Sequence, residues 1–190
     1  MTRRAGSLAE ASGAEFTDAA FASDDLCEAE VGDAAFTRCT FQNVRFNCAN
    51  LSQVRFIECR FRGCNFFDAT FDGCTVAASG FERCDFTGLR VIGGDWTETT
   101  LFDADLSTAD FTDVIFRQAD LRGSKCDGAV FRDVDLSGAT LNGADFSGAD
   151  LRGSNLTAFD PREVELRGAI ITADQAIDLT YCLRLTVRDA

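Results

Sequence analysis

Between Leu101 and Ser124 the chain reads LFDADLSTADFTDVIFRQADLRGS, and a large apolar residue returns at every fifth position, at Leu101, Leu106, Phe111, Phe116 and Leu121. A small residue sits two places before most of them, at Ala104, Ala109, Val114 and Ala119. The same phase runs from Phe16 to Ile171 with no inserted or deleted residue, and Pro161 is the one breaker at a large position. A five-residue period suits neither regular element. On a helix, steps of five advance by about 140° and form no stripe, and on a straight strand they alternate faces. The chain must therefore turn about once per repeat. A consistent turn winds it into a coil whose layers stack at about 4.8 Å, with backbone hydrogen bonds between them. Glycine two places after the large residue, as at Gly63, Gly123 and Gly148, marks where the turn falls.

Outside this phase lie two short segments. Residues 1–14 are polar and rich in Gly, Ser and Ala, which predicts a loose N-terminus. After the array, residues 172–190 read TADQAIDLTYCLRLTVRDA. Thr172 or Asp174 can cap a short helix over about Ala173 to Tyr181, and the following LRLTV alternates like a strand. A coil with open ends needs capping, but this tail carries more apolar surface than one end requires. Ile171, Ala176, Ile177, Leu179, Tyr181, Leu183 and Leu185 are therefore expected to pair two rods end to end as a two-fold dimer. The organisation expected is one elongated array, residues 15–171, between a loose start and a capping and dimerisation segment.

Charge and cysteine content narrow the partners. The formal net charge of −13 disfavours direct binding to nucleic acid or an anionic membrane and favours a basic partner. No apolar run approaches the roughly 20 residues of a membrane span, and MTRRAGSLAEASG has arginines without a hydrophobic stretch behind them, so a cytoplasmic protein is expected. Of the nine cysteines, Cys39, Cys59, Cys64, Cys74 and Cys84 fall at the small inward position and Cys126 at a large one, which reads as buried free thiols packing like small apolar residues.

The repeats ADLST, ADLRG, ADFSG and SNLTA resemble the A-(D/N)-(L/F)-x-x pattern of the pentapeptide-repeat family. That resemblance implies an all-β solenoid, a right-handed quadrilateral β-helix with four repeats per coil. Residues 20 apart would then touch, giving columns such as Phe21, Phe41, Phe61 and Phe81, in a rod of roughly 35 Å. A repeat ending in RGA followed by a helix containing D-Q-A is also similar to the MfpA proteins, and more distantly to the Qnr and AlbG proteins, which act on DNA gyrase.

Catalysis finds little support in the sequence. The chain has no His, which removes the commonest general base and every Ser-His or Cys-His arrangement. Ser124-Lys125 would point to different faces of a rod, and Gly93-Gly94 lacks the flanks of a phosphate loop. No cofactor is expected. Asp103-Ala104-Asp105 and Asp133-Val134-Asp135 are conceivable sites for a divalent ion. As a set, Asp85, Asp103, Asp105, Asp110, Asp113, Asp120, Asp133 and Asp135 form the candidate partner-binding surface. Their bland reading is that Asp before the large residue shapes the turn and is solvated. Their functional reading, implied by the resemblance, is that acidic columns imitate DNA phosphates. Duplex DNA carries one charge per about 1.7 Å, so 35 Å would hold roughly 20. The resemblance thus implies a dimeric rod, not an enzyme, that modulates or inhibits gyrase, with topoisomerase IV a further candidate, and lowers fluoroquinolone susceptibility. Qnr proteins interrupt the coil with projecting loops and this register is unbroken, which points to inhibition rather than drug protection. The competing reading is a repeat scaffold for an unrelated protein partner.

Overall fold

The structure is a computed structural model that describes residues 3–4, 11–186 and 188. The expectation of a loose N-terminus falls mostly on residues outside that range. Within it, Arg3–Arg4 pairs with Ala19–Ala20, and Ala11 is already buried in the core, one repeat before Phe16.

The chain winds as a parallel β-solenoid, the right-handed quadrilateral β-helix expected. From Glu15 onward, every strand pairing joins residues 20 apart, as in Phe16↔Phe36↔Phe56, Phe21↔Phe41↔Phe61↔Phe81 and Val31↔Leu51↔Phe71↔Val91. Four repeats therefore close one coil. The four faces are named here by the order in which the chain visits them, through Phe16, Phe21, Leu26 and Val31. The first, second and fourth carry short strands. The third, through Leu26, Phe46 and Phe66, is held by isolated bridges such as Asp25↔Arg45↔Asn65↔Asp85.

Corners fall two places after each large residue, and at nearly all of them the backbone is left-handed. Gly123 has φ 66°, but Asn43 (51°), Arg83 (53°) and Asp113 (59°) adopt the same conformation. On the third face the turn closes when the N–H three residues on donates to the carbonyl of the large residue, as from Ala49 to Phe46 at 3.0 Å. Glycine relieves this corner but does not define it; tertiary hydrogen bonds hold the non-glycine corners despite a cost of about 1–2 kcal/mol each.

The core is a set of stacked side chains. Phe21, Phe41, Phe61 and Phe81 stack with centroids 5.1, 4.7 and 4.6 Å apart, and neighbouring columns meet edge to face. Trp96 stacks its ring on Phe81 of the adjacent face at 5.9 Å and also meets Phe111 and Phe116, while the Phe81 column itself continues as Leu101, Leu121 and Leu141. The buried Nε1–H of Trp96 has no hydrogen-bond partner among the described residues. Two places before Trp96, at the inward small position, Gly94 (φ 94°) lies against the backbone of the coil below, where a Cβ would come 2.1 Å from the Cys74 carbonyl oxygen. At Pro161 the packing shifts: Phe159, two places earlier, turns inward and meets Phe146 edge-on at 5.1 Å. The Gly143 N–H then reaches the Glu163 carbonyl, where an equivalent N–H one coil earlier, that of Gly123, pairs with Asn142, 19 residues on.

The small inward residues also tie coils together. Cys59, Cys74, Ser79 and Thr99 donate to the carbonyls of Phe36, Leu51, Phe56 and Val76, each 23 residues back, at 3.3, 3.2, 3.1 and 2.7 Å. All nine cysteines are free thiols. Burial pushes the Cys59 and Cys126 thiols up to about 12 and that of Cys74 up to about 11, as befits packing residues rather than nucleophiles. No helix among the described residues is long and apolar enough to cross a membrane.

A candidate acidic interface

The eight aspartates singled out from the sequence do not share one face. Asp85 and Asp105 lie on the third face, Asp110 on the fourth, Asp120 on the second and Asp135 on the first. Asp103 sits at the corner between the second and third faces, and Asp113 and Asp133 at the corner leaving the fourth. Asp113 and Asp133, 20 residues apart, occupy the same corner in successive coils.

Local bonding sorts them further. Asp85, Asp105, Asp120 and Asp135 stand just before a large residue, and each Oδ1 accepts the backbone N–H two residues on, from Thr87, Ser107, Arg122 and Ser137 at 3.0–3.2 Å. These are Asx-turns, so the carboxylates shape the fold as the bland reading held. A D-x-(S/T) spelling, as in Asp105-Leu106-Ser107 and Asp135-Leu136-Ser137, marks them in the sequence. Asp103, Asp113 and Asp133 are instead exposed at left-handed corners, and the half-buried Asp110 accepts from the Thr112 hydroxyl at 3.1 Å.

Charge pairing differs among them as well. The Arg122 guanidinium grips Asp120 at 2.7 and 2.8 Å and holds its carboxyl below the usual range. Asp135 is paired with Arg117 at 2.6 Å. Among the described residues no ion pair involves Asp85, Asp103, Asp105, Asp110, Asp113 or Asp133. On the second face, Glu82, Asp103, Asp120, Asp160 and Glu163 are matched by Arg60, Arg62, Arg83, Arg122 and Arg162. On the third and fourth faces carboxylates outnumber cations, with Asp68, Asp85, Asp105, Asp127 and Asp145 among them on the third against Arg45, Lys125 and Arg167, and Asp72, Asp110, Asp113 and Asp133 on the fourth against Arg90, Arg132 and Arg152. The first face keeps a smaller excess, with Asp95, Glu98 and Asp135 against Arg117 in its later coils, so the acidic field is strongest on the two adjoining faces, third and fourth, and the corners beside them.

Family models for pentapeptide repeats match residues 34–111, 115–153 and 144–172, which together span most of the array. The chain belongs to the pentapeptide-repeat family. Among solved structures, it is similar to trypsin-treated QnrB1, a plasmid-mediated fluoroquinolone resistance protein, at 19% identity over 92% of this chain and 100% of that one, with a TM-score of 0.50. It is also similar to HetL, a pentapeptide-repeat protein involved in heterocyst differentiation regulation in the cyanobacterium Nostoc, at 18% identity over 84% and 85% of the two chains and a TM-score of 0.35. Comparison with curated protein sequences finds no match. At these identities the pentapeptide-repeat likeness carries the fold and not a partner.

The candidate pairs named from the sequence are not brought together among the described residues. Ser124 is buried and its hydroxyl donates to the Leu121 carbonyl at 2.8 Å, while Lys125 points outward in the column between Asp105 and Asp145. Asp103 and Asp105 diverge around the inward Ala104, and no group of three or more His, Cys, Asp or Glu is placed to hold a metal ion among the described residues.

The C-terminal tail forms helix α1 (Ala173–Cys182), with Thr172 as its N-cap in a reciprocal capping box with Gln175. Gln175 is buried, and its Nε2 donates to the carbonyls of Leu151 and Ser154 at 2.6 and 2.8 Å. Ser154 O thus receives a side-chain N–H from the residue 21 places on, the offset at which backbone N–H groups serve the coils below, as from Thr100 to Ser79. Sequence reasoning saw the helix but missed this role of Gln175. Ile171 and Leu179 pack partly against the last coil, while Ala176, Ile177, Tyr181, Leu183 and Leu185 stay exposed. The strand expected over LRLTV does not form among the described residues. Arg184 turns left-handed (φ 57°) after the Leu183 C-cap, and the Leu185 N–H donates back to Thr180 at 2.9 Å, which ends the helix instead of extending the chain.

Proposed function

We propose that this protein binds a basic, DNA-binding surface of DNA gyrase as a DNA mimic and inhibits the enzyme, which would lower fluoroquinolone susceptibility. The observation that carries the reading is the pair of adjoining acidic faces, with Asp85 and Asp105 on one and Asp110, Asp113 and Asp133 on the other, free of ion pairs among the described residues. In such a complex these carboxylates meet the arginines and lysines that otherwise hold phosphates, through charge-assisted hydrogen bonds. The resemblance of the RGA repeat and D-Q-A helix to gyrase-directed pentapeptide-repeat proteins supports the same partner, with topoisomerase IV as a related one.

The same proposal includes an end-to-end homodimer through the C-terminal tail, in the cytoplasm. It is supported by the exposed apolar side chains of the tail, Ile177, Tyr181, Leu183 and Leu185, and by exposed Ile170 at the end of the array. A two-fold pairing of rods doubles the acidic length presented.

Gyrase supercoiling is the direct test. Micromolar protein should inhibit at low salt, and inhibition should fade as salt rises, because screening weakens exposed charge pairs. Replacing Asp103, Asp105, Asp110 and Asp113 together by Asn should abolish it with the fold intact, since Asn can keep both the Asx-turn and the left-handed corner. Unaffected supercoiling at low salt would sink the reading and leave a scaffold with another protein partner.

A further inference from the structure

The second face carries a groove of about 780 Å³ that neither the acidic surface nor the dimer uses. It follows the rod axis from Thr40 to Phe102, and its cause is Gly80. The same column holds Thr40, Arg60 and Thr100 in neighbouring coils, but at Gly80 a Cβ would meet only the Thr100 Cβ, at 3.9 Å. With no side chain there, the Phe81 ring is 7% exposed, where Phe41 and Phe61 are at 1%. Phe102, half exposed, forms the far wall and is braced by the Arg122 guanidinium 5.5 Å from its centroid.

Charge gives the groove its polarity. Arg60, Arg62 and Arg83 border it, and one carboxylate, Glu82, serves two of them, with Arg62 at 2.8 Å and Arg83 at 3.2 Å. Arg60 forms no ion pair among the described residues. Asp103, at the lip, has its Oδ1 turned over Gly123, where a built Cβ would come within 2.2 Å of it. On a chain of net charge −13 this is a local cationic, apolar-floored valley.

We propose that the groove docks an extended acidic peptide segment of a protein partner, with an apolar side chain over Gly80 and flanking carboxylates on Arg60 and Arg83. A peptide is favoured over a small molecule because the valley is open along its length, whereas small-molecule sites enclose most of their ligand. From Gln42 to Phe102 there are three layer spacings, about 14 Å, the reach of about four extended residues.

Calorimetry and 15N NMR on the full chain with the blocked peptide Glu-Glu-Leu-Glu-Glu test this. Saturable binding is expected, with shifts centred on the amides of Arg60, Gly80, Glu82 and Phe102. Gly80→Thr, which copies Thr40 and Thr100 in the same column, should weaken it at least ten-fold by filling the groove. Arg60→Gln combined with Arg83→Gln should do the same by removing charge without touching the backbone, and serves if Gly80→Thr fails to fold. Gyrase inhibition should be unchanged in both variants, so the two proposals fail separately. Absence of saturable binding at millimolar peptide, equal binding of Lys-Lys-Leu-Lys-Lys, or shifts centred on the acidic faces would overturn the assignment. So would 3-phenylpropionate binding as tightly as the peptide, which would give the groove to small carboxylates.

Discussion

Gln175→Glu separates two jobs that one side chain performs. As an N3 residue, Gln175 completes a capping box by accepting the Thr172 N–H at 2.7 Å, and a glutamate would accept it equally well beside the positive helix end. As the lid of the coil, however, its Nε2 supplies the hydrogen-bond donor shared by Ser154 O and Leu151 O, and a carboxylate supplies none. Leu151 O keeps the Ser154 N–H at 3.1 Å, but Ser154 O loses its partner in a buried site and faces a like charge. One orphaned buried carbonyl costs about 1–3 kcal/mol, and the weakened second bond adds roughly 1 kcal/mol, so α1 should dock about 2–4 kcal/mol less tightly. Because the end of a solenoid can open without melting the middle, hydrogen exchange is the sensitive assay. Amides of α1 should exchange roughly 30- to 700-fold faster, while those of the central coils hold. Gln175→Ala, having lost cap and lid together, should cost at least as much. Were Gln175→Glu within about 0.5 kcal/mol of the parent chain, helix capping alone would explain the residue and the lid would be refuted.

Adjacent glycines give a second contrast: Gly94→Ala places its Cβ 2.1 Å from Cys74 O and should cost more than about 3 kcal/mol, or solubility, in thermal melts. Gly93→Ala, with φ 63° and nothing within 4 Å, should cost only about 1 kcal/mol, and equal melting temperatures for the two would contradict the close approach of Gly94 to the Cys74 backbone. Acid should expose the Arg132–Asp150–Arg152 triad. The Arg152 guanidinium, with Arg132 behind it, holds the Asp150 carboxyl far below its ordinary value of 3.8 against the opposing effect of burial. A group depressed in the folded state stabilises above its unfolded value and loses that contribution as pH falls, so stability should drop between about pH 5 and pH 2. Asp150→Asn should start lower at neutral pH and fall less steeply; parallel pH profiles would argue against the triad.

Phe159 shows the limit of pattern reading. Its position is a small one by phase, and Pro161 holds the large one, yet the side chain that fills the core at this point is Phe159. The phase points both positions inward, and only the volume left beside Phe146 decides that the small one can hold a phenylalanine here. The acidic set divides in the same way. That Asp105 and Asp135 shape turns was legible in their D-x-S spelling, whereas their separation onto different faces was not. Gln175 could be recognised as a helix residue, but its bond to Ser154 depends on where the preceding coil ends.

By itself the sequence determined which residues point inward, because the five-residue phase assigns every side chain to core or solvent through local backbone geometry. It also determined where corners fall and that a capped helix follows Ile171. How far apart in sequence two touching residues lie was decided by closure of the coil, since interlayer hydrogen bonds form only when the chain returns above itself. The 20-residue return then distributed charge among four faces, leaving the second balanced and the third and fourth most acidic, and opened a groove where Gly80 lacks a side chain. Those features rest on contacts between coils, and a one-dimensional pattern contains no such distances.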